Sequence, residues 1–325
     1  MIKIEAREEV WPLAKPFRIS RGSRTEARVV VVTVSDGQHT GRGEAVPIRR
    51  YDQTIESVLA QIESLHREKI LDRQSIETLL PAGAARNALD GALWDLEAKS
   101  SGKRVWELAN VSMVPEVVTS LTISLDTPDA MATAASANST LPMLKLKLGG
   151  DDVDLARVES VRESAPSARL LIDANESWSP EHYRKIAPAL KNLRVEVIEQ
   201  PFPADADEVL ETLDHPVPVC ADESCHTTAD LPRLKHRYEM LNVKLDKTGG
   251  LSEALLLTER ARENGFKLLI GCMVCTSLGI APARILASGA DYVDLDGAIL
   301  LARDREHGLS YQNGKIDIPS RELWG

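Results

Sequence analysis

Residues 169–175 read Arg-Leu-Leu-Ile-Asp-Ala-Asn, a short apolar run that ends on a carboxylate and predicts a buried strand. The sequence repeats this pattern twice, because apolar runs also precede Glu199 and Asp222. Counted from Asp173, the three carboxylates follow one another at intervals of 26 and 23 residues, which suits one strand–helix–strand step each time. In a parallel barrel, the carboxyl ends of successive strands meet at one mouth, where the active site lies. The repeat therefore predicts a barrel with three carboxylates at its mouth.

These three carboxylates, Asp173, Glu199 and Asp222, would repel one another at adjacent strand ends unless a cation neutralised them. Oxygen-only ligands suit a hard divalent ion such as Mg²⁺. The alternative interpretation is a structural ion-pair network. That alternative does not explain why each charge follows the end of a strand, so we expect a metal site.

Lysines occur at two further predicted strand ends. Residues 143–148, Met-Leu-Lys-Leu-Lys-Leu, alternate in polarity, so Lys145 and Lys147 share one face of a strand. A second run, residues 240–247, ends on Lys247. Lys147 lies on the second predicted barrel strand and Lys247 on the sixth, which are opposite in an eight-strand ring. A lone Lys-x-Lys is most simply a pair of surface lysines, but inward lysines at two strand ends predict an active site.

Two such lysines predict proton transfer. A lysine acts as a base when burial and neighbouring cations lower its pKa. One lysine would remove a proton from the carbon beside a substrate carboxylate, while the metal stabilises the resulting enolate. The lysine on the other side would return a proton to the opposite face, which yields the epimer.

The chain has 325 residues, more than the roughly 250 of one (β/α)₈ barrel. Residues 28–45 predict two antiparallel strands after a polar loop at 20–25, and residues 54–110 predict helices. From about residue 117, some eight strand-like stretches alternate with helices. The predicted helices of this part are 151–164, 180–191, 206–213, 251–265 and 278–287. An α+β domain therefore precedes a barrel, and the strand-like tail is expected to rejoin the first domain.

Composition excludes several classes of function. A formal charge of −10 argues against nucleic acid or an anionic membrane as partner. Early charges and the lack of a ~20-residue apolar run predict a soluble cytoplasmic protein. Cys272-x-x-Cys275 suggests a redox motif or half a zinc site, but no thioredoxin-like context surrounds it. Reduced cysteines that line a core or pocket are the favoured interpretation.

Five stretches carry a resemblance to a known family: residues 81–90, 173–178, 220–226, 244–250 and 294–297. They resemble the enolase superfamily in its muconate-lactonizing subgroup, and within it the bacterial L-Ala-D/L-Glu dipeptide epimerases. The similarity extends over nearly the whole chain. It implies an α/β fold of the enolase type, a (β/α)₇β modified TIM barrel with an α+β capping domain. The implied domains are a cap at 1–112, a barrel at 113–302 and a segment at 303–325 that rejoins the cap.

The resemblance also implies roles for the charged residues. The three carboxylates would bind one Mg²⁺ per subunit, and Lys147 and Lys247 would be the acid/base pair. Lys145 would assist the metal-bound substrate carboxylate, while Asp294 and Asp296 would hold the free ammonium of a dipeptide. Two more positions, Thr122 and Cys272, correspond to pocket residues.

An arginine is expected to read an acidic side chain on the substrate. The resemblance points to Arg24, in the polar loop of the first domain, because guanidinium matches carboxylate in a bidentate fork. Arg21, three residues earlier, is an alternative that the sequence leaves open.

Other activities occur on the same fold. Muconate cycloisomerase, o-succinylbenzoate synthase and N-succinylamino acid racemase act on substrates without an ammonium group, which would leave Asp294 and Asp296 little to bind. A non-catalytic binding protein would be expected to have lost a lysine or a metal ligand. We expect a small dipeptide substrate as the partner, and neither nucleic acid nor a membrane. The sequence is compatible with assembly into a homo-oligomer.

Overall fold

The computed structural model describes residues 2–65 and 71–325, and it opens with an antiparallel sheet followed by helices. The sheet contains, in spatial order, β1 (Lys3–Ile19), β2 (Gly22–Ser35) and β3 (Thr40–Ala45). The helices are α1 (Ile55–Ser64), α2 (Arg73–Leu79), α3 (Ala84–Ser101) and α4 (Val105–Leu108). This confirms the α+β cap, although the part of the helix prediction on residues 66–70 lies outside the described residues.

The predicted polar loop at residues 20–25 is wrong, because only Ser20 and Arg21 form a turn and the residues after them begin β2. Strand β1, which pairs with β2, is not evident from the sequence. Its register shifts between Pro12 and Phe17, and most of its side chains stay partly or fully exposed. A strand whose two faces are both exposed to solvent lacks the apolar alternation by which strands are recognised in a sequence.

Strand β3 lies unusually close to helix α3. A Cβ atom on Gly43 would lie 2.1 Å from the carbonyl oxygen of Ala88, and one on Gly41 would lie 2.1 Å from that of Ala92. Only glycine allows this approach, which lets the buried alanines of α3 pack directly on the sheet. The glycines therefore fix the distance between the helix and the sheet of the cap.

The second part of the chain is a parallel sheet of eight strands, paired in the order of the chain from the first strand to the last. The strands are β5 (Leu121–Ile123), β6 (Met143–Lys147), β7 (Arg169–Asp173), β8 (Val195–Glu199), β9 (Val219–Ala221), β10 (Met240–Val243), β11 (Lys267–Gly271) and β12 (Tyr292–Asp294). The amide of Ser120 donates to the carbonyl of Val293 at 2.9 Å, so the last strand lies beside the first. The eight predicted strands are confirmed as a (β/α)₇β barrel.

Helices connect these strands on the outside of the barrel. They are α5 (Pro128–Ala137), α6 (Asp154–Ser164), α7 (Pro180–Asn192), α8 (Leu231–Leu234), α9 (Leu245–Thr248), α10 (Leu251–Glu263) and α11 (Ser277–Ala287). The helix predicted at 206–213 is a 3₁₀ turn over Asp207–Thr212. Within the described residues, no helix combines the length and apolar character needed to cross a membrane.

The inward face of the barrel changes character along each strand. Its floor is a buried apolar cluster made of Met143, Leu171, Val197, Cys220, Met240 and Leu269. Because strand side chains alternate, residues two and four positions further along face the same interior. Those positions carry the charged residues, so the barrel is closed by apolar side chains below and becomes polar at its mouth. Cys220 lies in the floor, as a reduced core cysteine.

The tail returns towards the cap. Two short strands, β13 (Tyr311–Gln312) and β14 (Lys315–Ile316), form a small sheet with β4 (Val117–Val118). Further on, the indole of Trp324 donates to the carbonyl of Gly91 at 2.9 Å. The tail thus contacts helix α3, while the exact domain boundaries stay predictions.

We predict that Gly43→Ala lowers the free energy of unfolding by about 1–3 kcal/mol or more, because overpacking forces β3 away from α3. Gly289→Ala is the matched control, since a Cβ there meets no atom within 4 Å. Urea denaturation of both variants measures the difference. Equal stability of the two variants would contradict the close approach.

Candidate active site

The three predicted carboxylates meet at the barrel mouth. Asp173 and Glu199 end the neighbouring strands β7 and β8 in register, and Asp222 follows β9. All three are at most 3% exposed, and their nearest oxygens lie within 4.8 Å of one another. The set offers only oxygen atoms, which suits a hard divalent cation. The residues present therefore fit a metal site of the predicted composition.

Lys145 lies among these carboxylates. Its Nζ is 2.6 Å from Glu199 Oε2, 2.7 Å from Asp294 Oδ2 and 3.3 Å from Asp173 Oδ2. Burial disfavours its ammonium form, but Asp294 and Glu199 outweigh burial and raise the pKa of Lys145. Lys145 is therefore a buried ammonium ion held among three carboxylates.

Lys147 and Lys244 approach the cluster from opposite strands. Lys147 Nζ is 2.5 Å from Asp173 Oδ2, and Lys244 Nζ is 2.6 Å from Asp222 Oδ2. Both lysines line a cavity of about 110 Å³ between the barrel mouth and the cap. Lys147 ends the second barrel strand and Lys244 follows the sixth, so they face each other across this cavity.

Lys247, predicted as the second base, does not line the cavity. It lies on α9, is 1% exposed, and its ammonium contacts Asp222 and donates to the backbone carbonyls of Asp222 and Asn242. Lys244 is in phase with the barrel interior, because Met240 and Asn242 face the interior and Lys244 comes two residues later. The prediction of Lys247 followed the charged run to its end and did not use this phase.

Four lysines, Lys145, Lys147, Lys244 and Lys247, form ion pairs with the three carboxylates, yet the pKa values of these carboxylates shift in different directions. Burial opposes the ionisation of Asp173, but Lys147 and Lys145 hold its pKa below the usual range. By contrast, burial raises the pKa of Glu199 to about 8, and Asp173 adds to this shift. One more cation beside Glu199 would offset the repulsion from Asp173 that adds to this shift, which agrees with a metal ion at this position.

The pKa of Lys244 is raised by its surroundings, whereas the sequence analysis expected a lowered pKa for a lysine base. Burial lowers its pKa, but Asp222 and Glu199 outweigh burial and raise the pKa above its ordinary value. The expected lowering assumed that neighbouring cations dominate, whereas two carboxylates turn towards this ammonium. A cation bound by those carboxylates would offset their charge at Lys244.

Asp294 and Asp296 have different surroundings. Asp294 accepts from Ser120 Oγ at 2.5 Å and from the Lys145 ammonium. Asp296 accepts from the Thr122 amide at 2.6 Å and forms no ion pair among the described residues. Burial and the nearby Asp294 raise the pKa of Asp296 to about 6. Asp296 is therefore the carboxylate of this pair that lacks a cation.

The cap closes the cavity with its β1–β2 hairpin, and the structure distinguishes the two arginines there. Arg21 donates to Glu223 Oε1 at 2.7 Å, to Glu176 Oε2 at 3.0 Å and to the Asn175 carbonyl. Arg24 lines the cavity, and the described residues include no hydrogen-bond or ion-pair partner for its side chain. Two more predicted pocket residues, Thr122 and Cys272, also line the cavity.

Two family descriptions match the chain: "Mandelate racemase / muconate lactonizing enzyme, N-terminal domain" over residues 1–109, and "Enolase C-terminal domain-like" over residues 129–322. The chain belongs to the enolase superfamily. L-Ala-D/L-Glu epimerase of Escherichia coli (strain K12) is 45% identical over 322 residues, which cover 98% of this chain and 100% of that protein. N-acetyl-D-glutamate racemase of Pseudoalteromonas sp is 43% identical over 301 residues, which cover 91% and 95%.

Solved structures of this superfamily show the same fold. An enolase family member from Agrobacterium tumefaciens, described as having homology to dipeptide epimerases, is 46% identical and covers 100% of both chains with a TM-score of 0.97. That structure contains sodium and L-Ala-L-Glu with an ordered loop. Dipeptide epimerases at 28% and 30% identity were solved with Mg and a dipeptide. The chain itself is an isomerase of the enolase superfamily.

Mutation of residues that only hydrogen-bond to metal ligands typically lowers metal affinity 10–100-fold. Loss of the charge on a ligand itself should cost at least as much, so we predict that Glu199→Gln weakens Mg²⁺ binding about tenfold or more. Glu196→Gln is the control on the same strand, since Glu196 pairs with Arg169, away from the metal cluster. Titration calorimetry with Mg²⁺ measures both affinities. Equal affinities would contradict the assigned ligand set.

Proposed function

We propose that this protein is a dipeptide epimerase that inverts the α-carbon of the C-terminal residue of L-Ala-D/L-Glu and related dipeptides. The observation that carries the proposal is the placement of Lys147 and Lys244 on opposite sides of one cavity, beside a carboxylate cluster. The similarity to L-Ala-D/L-Glu epimerase supports it. One lysine removes the α-proton from one face of the substrate and the other donates a proton to the opposite face.

The residues Asp173, Glu199 and Asp222 would hold the cofactor, Mg²⁺. When bound, Mg²⁺ stabilises the negative charge that develops on the substrate carboxylate as the α-proton leaves. Lys145, a fixed cation 2.6 Å from Glu199, adds a second positive charge at the carboxylate end of the substrate. A substrate carboxylate held at this end would leave its α-carbon between the two cavity lysines.

The proton balance needs one neutral and one charged lysine. If Lys147 starts as the amine, it accepts the α-proton, and the Lys244 ammonium donates the proton that completes the epimer. The lysines finish in exchanged protonation states and return to the starting state through solvent. The reverse reaction begins from that second state, so both epimers are substrates.

The free ammonium of the dipeptide is assigned to Asp296, assisted by Asp294. Asp296 is buried and has no cation among the described residues, whereas Asp294 already contacts Lys145. An ammonium in the cavity would pair with Asp296 and favour its ionised form. This pairing orients the peptide with its carboxylate towards the metal cluster.

Arg24 is proposed to read the side-chain carboxylate of a C-terminal glutamate. Its side chain lines the cavity and keeps no partner in the described part of the chain, while Arg21 is engaged with Glu176 and Glu223. A partner-free guanidinium beside a substrate pocket is suited to a bidentate pair with a carboxylate.

A second candidate is racemisation of N-acylated glutamate, favoured by the 43% identity to N-acetyl-D-glutamate racemase. The same lysines and metal ligands would serve, and Arg24 would again meet the side-chain carboxylate. An N-acyl substrate offers no ammonium to Asp296, however. Side-by-side assays of L-Ala-L-Glu and N-acetyl-L-glutamate decide between the two, and a higher kcat/KM for the N-acetyl compound would overturn the dipeptide assignment.

The two lysines are predicted to separate by face. Lys147→Ala and Lys244→Ala should each abolish epimerisation, because positioned acid/base groups contribute ~10²–10⁴-fold. Each variant should still exchange the α-proton of one epimer with D₂O, and the retained epimer should differ between them, as followed by NMR. Lys247→Ala should keep exchange of both epimers. Retention of both by Lys244→Ala, with loss of one by Lys247→Ala, would restore Lys247 as the base.

Arg24→Ala is predicted to lower kcat/KM for L-Ala-L-Glu about tenfold or more, because a charge-assisted pair contributes ~1.5–3 kcal/mol. The same variant should change kcat/KM for L-Ala-L-Leu far less. Arg18→Ala is the control on the same hairpin, since Arg18 pairs with Asp126 and does not line the cavity. Equal losses on both substrates would mean that Arg24 only positions the hairpin.

A further inference from the structure

We propose that Arg86 and Asn87, on cap helix α3, are positioning residues that hold Lys244 in place by gripping the short helix α9. This inference rests on the two-lysine function proposed above. Both residues belong to the stretch at 81–90, which lies in the cap and supplies no lining residue to the cavity. Their contacts with the barrel explain what this stretch contributes to the site.

Helix α9 begins directly after Lys244 and contains only four residues, Leu245–Thr248. The carbonyl of Lys244 accepts from the amides of Lys247 at 3.0 Å and Thr248 at 3.1 Å. A helix this short is not stable alone, because nucleation costs more than its few hydrogen bonds return. The backbone that carries Lys244 therefore depends on contacts from outside the segment.

Arg86 supplies the first contact, at the end of α9. Its Nη2 donates to the Thr248 carbonyl at 2.7 Å and its Nε to the Gly249 carbonyl at 3.3 Å. These are terminal carbonyls that have no partner within the helix. Arg86 is 9% exposed, and within the described residues no carboxylate lies in ion-pair distance. Burying an uncompensated charge is costly, so simple packing does not account for an arginine here.

Asn87 supplies the second contact, on the side of α9. Its Nδ2 donates to Asp246 Oδ1 at 2.9 Å, and the backbone amide of Val46 donates to the same oxygen at 2.8 Å. The cap thus holds α9 at its end and at its middle. Gly249 lies so close to Arg86 that an added Cβ would be 2.4 Å from Nε.

The grip is specific to one lysine. Two hydrogen bonds connect Arg86 to Lys244, one into Thr248 and one from Thr248 to the Lys244 carbonyl. Lys147 is the last residue of strand β6, where it pairs with Asp173 of β7, and it contacts neither Arg86 nor Asn87. Displacement of α9 should therefore impair proton transfer on one substrate face and leave the other face intact.

The test uses the full-length, Mg²⁺-loaded enzyme with Arg86→Met and Asn87→Leu. Initial rates of α-proton exchange in D₂O are measured by NMR, separately for L-Ala-L-Glu and L-Ala-D-Glu. The epimer that loses exchange in Lys244→Ala should slow at least about tenfold in both variants, because small misplacements of a reacting group cost up to ~10²-fold. The other epimer should stay within about twofold of the wild-type rate.

Trp94→Phe is the matched control, because it removes another hydrogen bond from α3 to the barrel, from the indole to Ser252 Oγ at 3.0 Å on α10. It should leave the ratio of the two exchange rates unchanged. Equal slowing of both epimers in Arg86→Met and Asn87→Leu would overturn the proposal. If Arg86→Met fails to fold, an unchanged ratio of the two exchange rates in Asn87→Leu would overturn it as well. If Lys147→Ala and Lys244→Ala do not separate the epimers, the two-base function fails and the positioning role falls with it.

Discussion

The attraction between buried lysines and buried carboxylates at the barrel mouth is the interaction on which the site depends. Asp173, Glu199 and Asp222 are almost inaccessible to water, and ions removed from water are costly unless they are paired. Lys145 and Lys147 supply part of the compensation from a single strand. The apolar floor of the barrel lies directly below this charged layer. The charged side chains are therefore open only towards the cap.

The cap contributes to the site by contact as much as by coverage. Its hairpin reaches over the cavity, and Arg21 ties the turn to Glu176 and Glu223 on two different barrel loops. Helix α3 does not line the cavity and packs close to strand β3, because glycines allow it. The two cap segments are therefore held by separate contacts, one ionic at the hairpin and one steric at α3.

Much of this arrangement can be predicted from the sequence, because parallel barrel strands are short, apolar and regularly spaced. The carboxylates at strand ends follow from that pattern alone. Strand β1 could not be predicted from the sequence, since both of its faces are exposed to solvent and its residues do not alternate between apolar and polar. The proposal of Lys244 in place of Lys247 required the phase of β10, which the charged run obscured. The proposal of Arg24 over Arg21 required contacts 155 and 202 residues away along the chain, which no local pattern contains.

The hairpin and the barrel strands divide the work of the protein between separate pieces of chain. The groups assigned to proton transfer project from strands β6 and β10 and their ends, whereas Arg24 projects from a turn-proximal strand that contributes no metal ligand. A replacement at Arg24 leaves the buried charge layer and the apolar floor untouched. With the role proposed for Arg24, single substitutions on the hairpin would change substrate preference while the reaction stays the same. The fold would tolerate such changes, because residues 20–24 belong to no buried hydrophobic cluster of the described chain.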